Sequence, residues 1–202
     1  MFIRGKTSAI WGVAPPLKYY AMEIGKLIRE QHQGGFITFE ERYHIARFKK
    51  DGSLIEKLEK LAKKKEVYIL GDGHDGVWNI ARELTCSKHE IVDWYHLMEN
   101  LHKQNFNEES LNLYKEWLWN GEKEKVISKL KEGNNFRKYL EKHRARLINY
   151  NEHHTKELSS IGSGAVESSV KQIKTTTNIA GARWSKNGIR QILSVRTAYL
   201  NR

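Results

Sequence analysis

Carboxylates directly follow two short apolar runs in the first half of the chain. Asp72 comes after the run 66–71, and Asp93 comes after the run 90–92. A carboxylate at the carboxyl end of a buried strand lies where open α/β sheets bind their ligands. The glycines on both sides of Asp72 would let a phosphate group or a metal ion approach the backbone. An ordinary Asp-Gly turn is the alternative interpretation of this block.

Two further side chains could join Asp72. His96 stands three residues after Asp93, so the two side chains can meet across a tight turn, and Glu167 stands near the start of a predicted helix that follows the glycines of 162–164. Each residue also has a purely structural interpretation. A histidine in such a turn can serve as a structural hydrogen-bonding residue, and a glutamate in the first turn of a helix complements the helix dipole. Carboxylates that converge from separate elements suit Mg²⁺, and two ions about 4 Å apart support phosphoryl transfer.

The elements that would position these residues alternate along the chain. Short runs rich in apolar and β-branched residues predict strands at 36–48, 66–71 and 90–93. Apolar residues at helical spacing predict helices at 54–61, 77–84 and 94–102. Such alternation is typical of an α/β sheet that contains parallel pairs. A further helix is expected over 17–28, after the pair Pro15 and Pro16.

The chain changes character after the last of these helices. Residues 105–160 are charged and helical in period, and they contain no strand candidate. We therefore expect four segments, namely an atypical amino-terminal segment 1–35, an α/β part 36–104, a helical insertion 105–160 and carboxyl-terminal helices 161–202. The last segment carries Glu167.

The charge of the chain is concentrated at its carboxyl end. The 202 residues carry a formal net charge of +11, and no Asp or Glu occurs between Ser168 and Arg202. A one-sided basic tail favours a polyanion, most often nucleic acid, although a solvated basic surface is the alternative. The residues expected to contact DNA are Lys171, Lys174, Arg183, Trp184, Lys186, Arg190 and Arg196. Because no apolar run approaches the length of a membrane span and Cys86 is the single cysteine, we expect a cytoplasmic protein without a membrane partner.

Four blocks taken together resemble bacterial insertion-sequence transposases, most closely the ISKra group. They are 71–81, 91–97, 161–168 and a tail that combines 181–188 with 192–201. They keep the family's order and cover the chain from about Phe36 to its end. The resemblance implies an RNase H-like core with an Asp, Asp, Glu site for two Mg²⁺ or Mn²⁺ ions, and a helical insertion between the second Asp and the Glu.

The same resemblance assigns roles to single residues. Asp72 matches the second Asp and Glu167 matches the Glu, so both would be catalytic metal ligands. Asp93 and His96 match the Asp-x-x-His signature of this group and of Mutator-like transposases, which is thought to organise the site. The implied partners are transposon ends and target DNA, with a homo-oligomer as a further expectation, and the DNA-bound protein would lie on the bacterial nucleoid.

The family's first Asp has no counterpart here. Residues 1–50 contain no Asp, and Asp51 lies in a Lys-Lys-Asp-Gly turn; Glu40 is an alternative ligand. We therefore expect a carboxyl-terminal fragment of a transposase catalytic domain, with an incomplete sheet and without activity alone. The alternatives are a non-catalytic DNA-binding or multimerising module derived from a transposase, and a metal-dependent nuclease unrelated to transposition.

Overall fold

A computed structural model gives the fold of the chain. It describes residues 2–4, 7–14, 19–32, 35–48, 52–62, 66–156, 158–162, 171–173, 175–177 and 185–202. Within these ranges the protein is α/β, as the alternation of apolar patterns predicted.

The strands join one mixed sheet. They are β1 (Phe2–Arg4), β2 (Thr7–Ala14), β3 (Tyr19–His32), β4 (Gly35–Phe48), β5 (Glu66–Gly71) and β6 (Lys88–Val92). Their order across the sheet is β4-β3-β2-β1-β5-β6, with an additional pairing of β2 with β5. The neighbours β2, β3 and β4 are antiparallel, whereas β5 runs parallel to β2 and β6 runs parallel to β5.

The amino-terminal part corrects two expectations. The helix expected over 17–28 is wrong, because 19–32 form β3, which pairs with β2 on one side and with β4 on the other. Pairing on both sides satisfies the backbone groups of the strand, and its aromatic and β-branched residues suit a sheet as well as a helix. The expectation that the sheet lacks its early strands is also wrong, since four strands, β1 to β4, precede β5 and pair with one another in the antiparallel direction.

Three helices connect and follow the parallel strands. They are α1 (Gly52–Ala62), α2 (Asp75–Glu83) and α3 (Trp94–His102), and they lie within about two residues of their predicted positions. A parallel neighbour requires a crossover connection, and α1 and α2 provide the crossovers that lead into β5 and β6. The apolar periodicity of the sequence therefore located the elements on both sides of Asp72 and Asp93.

A helical segment follows, defined here as residues 105–156. It contains α4 (Glu108–Trp119), α5 (Lys123–Lys129), α6 (Asn135–Lys142), a 3₁₀ turn (Arg144–Arg146) and α7 (Tyr150–Thr155), and no strand. Asparagine side chains cap α4, α6 and α7, each by accepting a hydrogen bond from a first-turn N–H. The final helix α8 (Lys186–Leu200) packs against β4. The boundaries of the four expected segments stay a prediction.

One apolar core joins the parallel strands to the helical segment. Leu70, Ile91 and Trp78 are buried in the same cluster as Phe136 and Tyr150 of the helical segment. Each large side chain that is buried completely contributes about 1.5–3 kcal/mol to stability. The helical segment is thus anchored on the strand ends that carry Asp72 and Asp93. In the described part of the chain, no helix has the length and apolar character that crossing a bilayer requires.

Candidate active site

Asp72 and Asp93 start from adjacent points at one edge of the sheet. Gly71 pairs with Val92 in the last row shared by β5 and β6. Just beyond that row, the backbone N–H of Asp93 donates a hydrogen bond to the carbonyl oxygen of Gly71 over 2.8 Å. The two strand ends therefore lie side by side at one edge of the sheet.

The Asp72 turn, defined here as residues 71–76, leads from β5 into α2. The Asp72 side chain is exposed, and its Oδ1 accepts a hydrogen bond from the backbone N–H of His74 over 2.8 Å. His74 caps α2 by accepting the N–H of Gly76 at Nδ1. Gly73 has a φ of 93°, a conformation that a residue with a side chain adopts only under strain. The turn therefore presents an accessible carboxylate at the carboxyl end of a buried strand.

Asp93 has the opposite environment. It is fully buried, and its Oδ1 caps α3 by accepting the backbone N–H of His96 over 2.9 Å. The Nδ1 of His96 lies 3.3 Å from the same oxygen, so the expected Asp–His pair does form. The geometry fits a group that begins a helix and orients a histidine.

Two residues of the helical segment, neither of them singled out from the sequence, cover the Asp72 turn. A Cβ atom at position 73 would lie 3.2 Å from the Tyr139 hydroxyl and 3.4 Å from Nε2 of His143. Burial and the neighbouring cations Lys142 and Arg146 lower the pKa of His143 to about 4. The space beside Gly73, expected to admit a ligand, is therefore taken by aromatic rings.

Those rings are neutral at neutral pH. Burial raises the pKa of the Tyr139 hydroxyl well above its ordinary value, and the carboxylates of Asp72 and Asp93 raise it further, while the Asn100 side chain lowers it. The hydroxyl lies beside Gly73, next to the end of β5.

A third residue of the helical segment supports the end of β6. The Tyr150 hydroxyl donates a hydrogen bond to the carbonyl oxygen of Val92 over 2.9 Å, and its ring lies 4.9 Å from that of Trp94, centroid to centroid. Nearby, Arg146 forms a 2.6 Å ion pair with Glu90. In the sequence, the only indication that Tyr150 is buried is that it is an aromatic residue among polar neighbours.

Glu167 lies outside the described residues, so its distance from Asp72 remains untested. The chain that leads to it is described as far as Gly162. Ile161 accepts a hydrogen bond from the backbone N–H of Trp94 over 2.8 Å. Position 162 lies against the exposed ring of Tyr95, which occupies the space that a Cβ atom there would need. The chain therefore returns to the Asp93 end of the sheet shortly before Glu167.

The described residues do not by themselves form a metal centre. Across the described ranges, no three His, Cys, Asp or Glu side chains come together as a possible metal site. The sequence of β2 contains no carboxylate, and continuing its register with β5 from Ile10 opposite Leu70 puts Gly12 level with Asp72. Glu40 pairs with Leu27, well away from that row. Of the expected metal ligands, only Asp72 falls within the described residues.

The predicted DNA-contacting residues are described only in part. Lys171 and Arg190 are exposed, and Arg196 is half-buried with its guanidinium 5.2 Å from the ring centre of Tyr199. Lys186 is the first residue of α8. Three others, Lys174, Arg183 and Trp184, lie outside the described residues.

Comparisons of the chain with protein-family models, curated proteins and solved structures give no match. The strand-end geometry and the sequence blocks therefore carry the functional inference.

Proposed function

We propose that this chain is the catalytic domain of a DNA transposase of the Asp-Asp-Glu type whose first carboxylate is missing, so that it binds DNA but does not cleave it alone. The observation that carries the proposal is the sheet. Four strands precede β5, namely the short β1 and the antiparallel strands β2, β3 and β4; β5 joins β2 in parallel, pairs with β1 in the antiparallel direction and ends just before Asp72. The antiparallel strands β2–β4 followed by parallel strands beside β2 support an RNase H-like core, which also has early antiparallel strands and later parallel ones.

The path of the chain supports a position for Glu167 near Asp72. Ile161 is hydrogen-bonded to Trp94, and the preceding residue, Asp93, is hydrogen-bonded to Gly71. Glu167 comes six positions after Ile161, and six extended residues reach at most about 20 Å. Because 105–156 form the helical segment between Asp72 and Glu167, the order of elements also supports an insertion at the place that the resemblance implies.

The missing carboxylate is what argues against independent activity. Two Mg²⁺ or Mn²⁺ ions, when bound, would activate the attacking oxygen and stabilise the leaving oxygen of a phosphodiester. Asp72 and Glu167 would be ligands, but β2 offers no third carboxylate beside them. Without a negative group level with Asp72, the charge of two divalent ions is poorly compensated. We therefore expect no cleavage by the isolated chain.

DNA binding is the part of the function that does not need the missing residue. The tail from Ser168 onwards carries seven Lys or Arg and no acidic residue, and Arg190 is exposed on α8. A protein that contacts phosphates releases the counterions condensed on the DNA, so its affinity weakens as the salt concentration rises. We expect the affinity for duplex DNA to fall steeply between low and physiological salt. Deletion of the tail without loss of affinity would contradict this part of the proposal.

A nicking assay on supercoiled plasmid with Mn²⁺ tests the catalytic part. The wild-type chain should give no product above background. Gly12→Asp, which adds a carboxylate level with Asp72, should restore nicking, while Gly12→Ala serves as the matched control. Addition of Asp72→Ala to the Gly12→Asp variant should abolish the product. Robust nicking by the wild-type chain that Asp72→Ala removes would show that the first carboxylate is supplied from elsewhere.

The second candidate is a non-catalytic module that binds DNA or multimerises with an intact transposase. The absence of a carboxylate on β2 favours it specifically. Calorimetric titration with Mn²⁺ separates the two, since a non-catalytic module should show no saturable binding that depends on Asp72. Saturable binding that is lost in Asp72→Ala would favour a vestigial catalytic site.

A further inference from the structure

The Asp72 turn is held only weakly by its own strand. The sheet pairing of β5 ends at Gly71, and after that residue the Asp72 side chain makes a single hydrogen bond within the turn, to the N–H of His74. Gly73 in the left-handed region adds flexibility. A carboxylate on such a turn needs support from another element if it is to occupy one position.

That support comes from two rings at the end of α6. Tyr139 and His143 lie with their ring centres 4.8 Å apart, and both line the space that a Cβ atom at position 73 would enter. His143 is only 1% exposed, and its ring centre is 6.2 Å from that of Trp78. Since Trp78 belongs to the buried core, His143 connects the turn to the core.

The chemical character of both rings suits this place. Each is polar yet uncharged at neutral pH, because burial disfavours the charged form of either ring. A cationic ring would place a positive charge beside Asp72. A neutral ring packs against the turn without adding a charge there.

We propose that Tyr139 and His143 are positioning residues: from the helical segment they clamp the Asp72 turn and so set where the Asp72 carboxylate lies relative to Asp93. What Asp72 does there rests on the proposed function, but the clamp itself is a matter of geometry. The helical segment between Asp72 and Glu167 then contributes to the candidate site by positioning one of its carboxylates. Its residues act on the carboxylate through contact with Gly73.

Amide hydrogen exchange of the full chain, followed by NMR, tests this clamp without DNA or metal. The probe is the His74 amide, whose hydrogen bond to Asp72 reports the turn directly. Tyr139→Leu and His143→Leu should each speed its exchange by about tenfold or more, because the turn opens locally. The slow amide of Leu70, inside β5, should change far less. Tyr139→Phe, which keeps the ring, should restore most of the protection.

Tyr114→Leu is the matched control. Tyr114 is a half-buried aromatic of the same helical segment that packs against Phe106 and Trp117, away from the turn. If it speeds the exchange of His74 as much as the two clamp variants do, the effect is general loosening and the clamp is wrong. Unchanged exchange in Tyr139→Leu and His143→Leu overturns it as well. Either result leaves the DNA-binding and nicking tests of the proposed function unaffected.

Discussion

The ends of β5 and β6 lie side by side, yet the carboxylates that follow them have opposite environments. After β5, Asp72 is exposed and bonds only within its own turn. After β6, Asp93 is fully buried, caps a helix and contacts His96. The helical segment supports both ends, through Tyr139 at the first and Tyr150 at the second.

The contrast separates two roles that the same sequence position suggested for both residues. A carboxylate at a strand end can hold a ligand only if its oxygens are accessible, and Asp72 meets that condition. A buried carboxylate at a helix N-terminus stabilises the helix and fixes the chain direction. We therefore assign ligand binding to the β5 end and architecture to the β6 end, with four predictions that follow from this division.

The largest effect is expected at Asp93. Asp93→Ala removes the cap of α3 and leaves the partly buried N–H of His96 without its acceptor, so the free energy of unfolding should fall by about 2–3 kcal/mol. Urea denaturation followed by circular dichroism measures the change. Asp93→Asn, which retains an acceptor oxygen, should lose clearly less. A loss below about 0.5 kcal/mol in Asp93→Ala would show that Asp93 does not have the structural role assigned to it.

The next effect depends on pH and concerns His143 behind the Asp72 turn. Its pKa is lowered to about 4 in the folded chain from an ordinary value of 6.5. Between these values the unfolded chain binds a proton that the folded chain does not, so stability should fall as the pH drops from 6.5 towards 4, by about 1–2 kcal/mol. In His143→Phe the slope of stability against pH should be flatter.

Urea denaturation at several pH values measures that slope. His102→Phe is the control, because His102 is exposed at the end of α3 and its replacement should leave the slope as in the wild type. An equal flattening in both variants would mean that the buried position of His143 has no special influence on stability.

A smaller effect is expected at the support of β6. Tyr150→Phe removes the hydroxyl that donates to Val92 and keeps the ring, so it should cost about 1 kcal/mol, the usual net value of a buried hydrogen bond. Thermal unfolding measures the change. Tyr199→Phe alters an exposed tyrosine on α8 and should be neutral. Equal stability of the two variants would show that the hydroxyl of Tyr150 does not hold the strand end.

The two strand ends could be predicted from local patterns. The apolar runs located β5 and β6 and put a carboxylate directly after each of them, where open α/β sheets bind ligands. The strand β3 was missed because its apolar residues also recur at helical spacing. Its pairing with β2 and β4 depends on contacts between separate segments, which a local pattern does not encode.

The supporting residues were missed for a related reason. Tyr139 and His143 are more than 60 positions from Asp72 in the sequence, and neither belongs to a motif. Gly73 carried the available signal, since a glycine beside a carboxylate suggested space for a ligand. The same observation fits a glycine over which aromatic rings pack, and only the folded chain distinguishes the two. Likewise, the contact between Trp94 and Tyr150 beside the end of β6 forms only after folding.

The smallest change in stability is expected at Asp72, and this measurement distinguishes the roles of Asp72 and Asp93 most directly. Asp72→Ala removes an exposed carboxylate with one hydrogen bond in its own turn, so the free energy of unfolding should change by less than about 0.5 kcal/mol. Urea denaturation beside Asp93→Ala makes the comparison direct. If the fold does not need this carboxylate, the result supports the proposal that Asp72 binds a ligand. If Asp72→Ala destabilises the chain as much as Asp93→Ala does, both strand ends are architectural and the candidate site loses its one described ligand.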